Sequence, residues 1–115
     1  MKVNNILSFD IEGLIESSHD SMHIPDKYIN QKEENFHITE NTEHILQLLS
    51  DNDVKGTFFI LGRIAKDIPS LISKIASEGH EIASHSYDHF RLYNFSREEI
   101  RDKFDRSKKY LEDAS

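Results

Sequence analysis

Between Gly56 and Gly62 the chain runs Thr57-Phe58-Phe59-Ile60-Leu61, an apolar, β-prone stretch with a glycine at each end. A strand with one wet face would alternate apolar with polar residues. This one does not, so it reads as a strand covered on both faces, as in a parallel sheet. Parallel neighbours need long crossovers, and the flanking sequence offers helices for them. Upstream, Thr39 to Asp53 carries Ile45, Leu46, Leu48 and Leu49 as an apolar stripe, with Thr39 or Asn41 as the N-cap and Asp51-Asn52-Asp53 as a polar ending. Downstream, Arg63 to Asp67 is short and fits no one pattern. Pro69 then suits the first turn of a helix that buries Leu71, Ile72, Ile75 and Ala76, and Gly79 suits the position after its end. Ser96-Arg97-Glu98-Glu99 has the form of a capping box, opening a last helix with Ile100, Phe104 and Leu111 on one side.

Two more strands complete the pattern. Asn5-Ile6-Leu7-Ser8-Phe9 leads to an abrupt Asp10-Ile11-Glu12-Gly13, as expected where a buried strand reaches an open edge and turns. After Gly79 a short strand ends in His85 and His89. The segment from Leu14 to His37 is the least regular part and reads as a long loop pinned by Met22, Ile24, Tyr28 and Ile29; in a compact domain such a loop is functional or mobile. The order β, loop, α, β, α, β, α predicts an α/β fold with right-handed crossovers, either a barrel or an open sheet. In both, chemistry gathers at the carboxyl ends of the strands, where Asp10, Glu12, His85 and His89 all fall.

His85 and His89 stand four apart, so a helical turn after the strand would aim both rings at one cation; alone, such a pair is more often without a metal. Asp10 and Glu12 face the same way on a strand. They are either a solvated strand end or a carboxylate pair made tolerable by a dication or by dividing the roles of ligand and base. His19 and His23 repeat the spacing without a strand or an acid pair beside them, and are expected to be surface or substrate-side residues. His80 is expected to be structural.

A chain of 115 residues is enough for one core. Its net charge of −7 and lack of a basic stripe argue against nucleic acid as a partner. Without cysteine, any metal must be held by imidazole and carboxylate. The run from Met1 to Asp10 is too short for a signal peptide core or a membrane span, so the chain is expected to be soluble and cytoplasmic.

Ser8-Phe9-Asp10-Ile11-Glu12-Gly13, Thr57-Phe58-Phe59-Ile60-Leu61-Gly62 and Gly79-His80-Glu81-Ile82-Ala83-Ser84-His85-Ser86-Tyr87-Asp88-His89 together resemble the motifs of the polysaccharide deacetylase family, which shares the NodB homology domain. The likeness runs through nearly the whole chain, and the segment Leu14 to Glu40 looks most like an exopolysaccharide-associated subgroup whose first motif is Asp-x-Glu. It implies the amino-terminal part of a distorted (β/α) barrel. Residues 1–115 would then be an incomplete deacetylase domain, since a complete barrel needs roughly 200 residues or more and the family's later arginine and acid histidine would follow Ser115.

The resemblance implies removal of acetyl groups from an N-acetylated polysaccharide or oligosaccharide, with a divalent metal, zinc first, held by Glu12, His85 and His89. Asp10 would be the base, with the reverse division between Asp10 and Glu12 as the alternative, because Ile11 fills the place where the commoner pattern has a second aspartate. Tyr87 would offer its backbone N–H to the oxyanion, while Ser86 and Asp88 hold the loop. This segment alone is expected to be inactive. Two other functions fit less closely: hydrolysis of a cyclic amide or ureide, and a non-catalytic carbohydrate-binding or scaffold role.

Overall fold

Three parallel strands, β1 (Ser8–Ile11), β2 (Thr57–Ile60) and β3 (Glu81–Ser84), lie side by side in that order in the computed structural model, which describes residues 4–115. Of the lead-in from Met1 to Asn5, residues 1–3 lie outside the described residues. The register aligns Ile11, Ile60 and Ser84 across the sheet, so Glu12, Leu61 and His85 leave it along one common edge. Helices fill the crossovers, α1 (Leu14–Met22) and α2 (Gln31–Asp51) between the first two strands and α3 (Gly62–Asp67) and α4 (Pro69–Ser77) between the last two, and α5 (Arg97–Ala114) follows β3. Among the described residues no helix is long and apolar enough to cross a membrane.

The core gathers on one side of β2. Phe58 and Ile60 are fully buried against Ile38, Leu46 and Leu49 of α2, Ile64 of α3, Leu71, Ile72 and Ile75 of α4, and Leu111 of α5. Burying a side chain of this size contributes about 1.5–3 kcal/mol each. The expectation of a strand covered on both faces holds only in part, because Thr57 and Phe59 on the opposite side are half-exposed. The helices pack on the Phe58 face.

The long irregular loop expected over Leu14 to His37 is instead largely helical. It holds α1, a single 3₁₀ turn at Asp26–Tyr28 and the first turns of α2. Asn30, not Thr39 or Asn41, caps α2, its side chain accepting from the Glu33 N–H at 3.2 Å. Thr39 and Thr42 sit mid-helix with their hydroxyls donating to the carbonyls of Asn35 and Ile38. Serine, asparagine and histidine give this stretch low helix propensity, and packing overrides it. The helix from Ser96 has the capping box expected: the Ser96 N–H reaches Glu99 Oε2 at 2.7 Å and the Glu99 N–H reaches Ser96 Oγ at 3.2 Å. Its buried row, however, is Lys103, Ser107 and Leu111, and Phe104 is largely exposed.

Two residues fix how the layers meet. A Cβ on Gly62 would stand 2.7 Å from Ser107 Cα and 2.9 Å from the Tyr87 ring, so α3 and α5 approach as closely as they do only with glycine there. His80 is buried as expected for a structural residue: its ring packs 5.1 Å from Phe58 and its Nδ1 accepts the Gly56 N–H at 3.2 Å. Burial first, then the nearby Lys55 charge, lowers its pKa below 6.5, with Glu78 opposing.

Gly62→Ala is expected to cost about 1–3 kcal/mol in urea unfolding, from overpacking against a backbone that cannot move aside. For His80 the folded state favours the neutral ring. Its contribution is therefore complete above the unfolded pKa of about 6.5 and is lost as pH falls through the lower folded value. The stability difference between wild type and His80→Gln should shrink when urea melts are repeated at pH values below that.

Candidate metal centre

The carboxyl ends of β1 and β3 are separated by β2, yet their side chains meet. Glu12 Oε2 lies 3.0 Å from His89 Nε2 and 3.3 Å from His85 Nε2, and one donor atom from each residue falls within 4.8 Å of the others. The two rings, 5.6 Å apart, are not brought together by the helical turn expected from their spacing. The chain bends instead. His85 continues the sheet, its N–H donating to the Ile60 carbonyl at 3.0 Å, and Ser86 then enters the left-handed region at φ 66°. The Ser86 carbonyl accepts from the Gly62 N–H and the Ser107 hydroxyl, each at 2.9 Å, and the Tyr87 carbonyl accepts from the Arg63 N–H at 2.9 Å. These bonds swing His89 back towards Glu12.

Although both imidazoles are near it, Glu12 Oε2 is buried with no hydrogen bond of good geometry. A carboxylate oxygen and two ring nitrogens that converge without a well-aligned hydrogen bond between them are what a cation would satisfy. The spacing fits: four donors at about 2.0–2.1 Å around a tetrahedral ion stand roughly 3.3 Å apart. A set of two imidazoles and one carboxylate also leaves a tetrahedral ion an open position for water or substrate.

A family model described as polysaccharide deacetylase matches residues 25–115. The chain belongs to that family. The match takes in both histidines of the cluster and begins after Asp10 and Glu12. A peptidoglycan-N-acetylglucosamine deacetylase of Bacillus cereus is 38% identical over 72 residues, which is 63% of this chain and 26% of that protein. A solved peptidoglycan N-acetylglucosamine deacetylase in complex with an N-oxidanyl-benzamide superposes with TM-score 0.67 at 28% identity, covering 96% of this chain and 40% of the other. A pseudoenzyme of carbohydrate esterase family 4 from Bacillus anthracis superposes with TM-score 0.63 at 34% identity, over 67% of this chain and 27% of its own. The chain thus spans between about a quarter and two fifths of these proteins' lengths. Its α/β architecture corresponds to the amino-terminal part of the deacetylase (β/α) barrel.

The other residues singled out in the sequence fall in different places. Asp10 is exposed and stands outside the donor cluster, though it shares with Glu12, His37 and Thr42 the lining of a cavity of about 310 Å³. Between the two carboxylates Ile11 is buried, as strand alternation requires. His19 pairs with Asp26 at 3.2 Å, and His23 is an exposed left-handed cap of α1; neither joins the cluster. The Tyr87 side chain turns away, its ring 6.3 Å from Tyr110 and 4.3 Å beneath Arg106.

Two supports escaped the sequence reading. Lys103 of α5 is buried, with Nζ 2.6 Å from Asp88 Oδ2 and 4.4 Å from the Phe95 ring, while Asp88 Oδ1 accepts the Phe90 N–H. Asp88 adjoins His89, so this pair ties the ligand-bearing bend to α5. The signal was there in outline, since Lys103 and Ser107 are polar residues set in line with Leu111 at helical spacing. Arg63, at the start of α3, pairs with the largely buried Glu16 of α1 and with Asp67 at 2.9 Å, and donates to Asn35. No local pattern joins residues so far apart.

Lys103→Met should leave Asp88 charged without its buried partner and cost about 3–5 kcal/mol in chemical denaturation. Asp88→Asn combined with Lys103→Met should recover a large part of that loss, which a double-mutant cycle would read directly.

Proposed function

We propose that this chain carries the cation-binding part of the active site of a polysaccharide N-deacetylase, with N-acetylated polysaccharide or oligosaccharide as substrate. The observation that supports it is the meeting of Glu12, His85 and His89 at the carboxyl edge of a parallel sheet in a chain of this family. Zinc suits the donor set best, because two imidazoles and a carboxylate form a borderline-soft, tetrahedral environment. When bound, such an ion supplies a polarised acetyl carbonyl and a water whose pKa falls from about 15.7 towards 7.

The chain's own residues supply the rest. Glu12, His85 and His89 would hold the ion. Asp10, one pleat back on β1, is the base that takes the proton of the attacking water as its oxygen bonds to the acetyl carbon, a contribution of about 10²- to 10⁴-fold. The C–N bond then breaks as the nitrogen takes up one proton from solvent in exchange for the one held on Asp10, the acetyl group leaves as acetate and the sugar keeps its nitrogen as an amine. The backbone N–H of Tyr87 is the oxyanion donor in this scheme. With Asp10-Ile11-Glu12 as its first motif, the chain is assigned to the exopolysaccharide-associated subgroup. A second reading, a non-catalytic carbohydrate-binding domain, draws support from the likeness to a pseudoenzyme of the same family.

Zinc competition with a chromophoric chelator and acetate release from chitooligosaccharides by the full gene product separate these readings. Glu12→Gln, His85→Ala and His89→Ala are each expected to weaken zinc binding by more than the roughly 10- to 100-fold typical of residues behind the ligands. Asp10→Asn should bind zinc as wild type does and release no acetate. Loss of zinc in Asp10→Asn with retention in Glu12→Gln would reverse the two roles. Tight zinc binding without chelator-sensitive acetate release would favour the second reading. Replacing His19 or His23 should leave zinc content unchanged.

A further inference from the structure

The two histidines of the cluster are held in different ways. His85 continues the sheet through its bond to the Ile60 carbonyl, whereas His89 comes beyond the bend and its side chain is more open to solvent, 42% against 29%. Where His89 points is therefore decided by its backbone, and its neighbours set that backbone. Asp88 Oδ1 accepts the Phe90 N–H at 3.2 Å, closing a turn with His89 at its centre. Asp88 Oδ2 accepts from Lys103 Nζ at 2.6 Å. One carboxylate thus closes the turn and is itself clamped.

The clamp is part of a wider grip. Lys103, Arg106 and Ser107 are spaced by three and four on α5 and so share a face. Ser107 donates to the Ser86 carbonyl at 2.9 Å, the Arg106 guanidinium lies 4.3 Å from the centre of the Tyr87 ring, and Lys103 takes Asp88. Three consecutive residues between the two histidines are each held by one residue of the same helix.

Stability alone does not account for a lysine in this place. Lys103 is 8% exposed, with Nζ 4.4 Å from the Phe95 ring and 5.5 Å from the Phe90 ring. Desolvating an enclosed ion pair offsets much of its attraction, so two apolar side chains of like volume would hold α5 to the bend as well or better. They could not fix the rotation of a carboxylate. With one oxygen on Lys103, the other is left facing the Phe90 N–H, and the turn around His89 is set.

On the reading of Glu12, His85 and His89 as a metal centre, we propose that Lys103 is a positioning residue for His89. Acting through Asp88, it sets the affinity and geometry of that centre beyond anything it adds to the stability of the fold. Wild type, Lys103→Met and the double variant Lys103→Met with Asp88→Asn, all in the 115-residue chain, are compared by three measurements. These are urea stability, zinc affinity by chelator competition, and the visible absorption of the cobalt-saturated chain, which follows coordination geometry.

Lys103→Met should lose stability and bind zinc about 10- to 100-fold more weakly. The double variant leaves no buried charge unpaired and should recover much of the stability. Its amide is unclamped, so zinc should still bind about tenfold or more weakly than in wild type, and the cobalt spectrum should stay displaced. Zinc affinity that returns in step with stability overturns the inference, as does a cobalt spectrum identical in all three chains. No zinc uptake by wild type overturns the metal centre and this inference with it, whereas tight uptake unchanged by either variant overturns this inference alone. Should the double variant not fold, wild type decides by reciprocity: zinc should slow hydrogen exchange at the Phe90 amide, and exchange there that zinc leaves unchanged overturns the inference.

Discussion

The carbonyl oxygen of Ser86 is the joint on which the site end of the molecule depends. It accepts one hydrogen bond from the Gly62 backbone and one from the Ser107 hydroxyl, and so ties the loop after β3 to both α3 and α5. Each partner meets a strict requirement. Gly62 can carry no Cβ, Ser107 must be small and polar inside a buried row, and Ser86 must hold a left-handed conformation that costs a non-glycine residue roughly 1–2 kcal/mol. The surrounding bonds over-determine that conformation, and its result is a bend that points His85 and His89 at one carboxylate. Strain kept in this way is characteristic of places where geometry matters more than local stability.

Two enclosed ion pairs flank the joint. Lys103 with Asp88 holds the bend from one side, and Arg63 with Glu16 holds α1 from the other. Desolvating such charges offsets much of their mutual attraction, so their contribution to net stability is small even though breaking either is costly. Their effect here is positional. The Lys103 pair connects the ligand-bearing bend to α5, and the Arg63 pair connects α1, which follows closely on Glu12, to α3.

Much of this was readable in the residues. Thr57 to Ile60 announced a parallel sheet through its unbroken β-prone character, Pro69 and Ser96 marked helix starts, and the motif around Glu12, His85 and His89 pointed to residues that do meet. What could not be read has identifiable causes. The Leu14 to His37 segment has the composition of a loop and folds as helix because Glu16 and Glu34 find partners distant in sequence, Arg63 and the Ile15 N–H. The helical turn between the histidines is a reasonable inference from their spacing, but spacing says nothing of a carbonyl captured by α5. Phe104 looked like core because it is large and apolar; Lys103 takes the inner position because Asp88 awaits it there.

The donor cluster also has a mechanical side. Glu12 and His85 stand 73 positions apart in sequence, on strands that touch β2 and not each other. An ion gripping both ends would therefore be a cross-link that closes a long loop, and the entropy removed from the unfolded chain grows as about (3/2)RT ln n. Ligation and folding are then coupled through mass action. The sheet's resistance to unfolding becomes a gauge of how fully its edge is occupied.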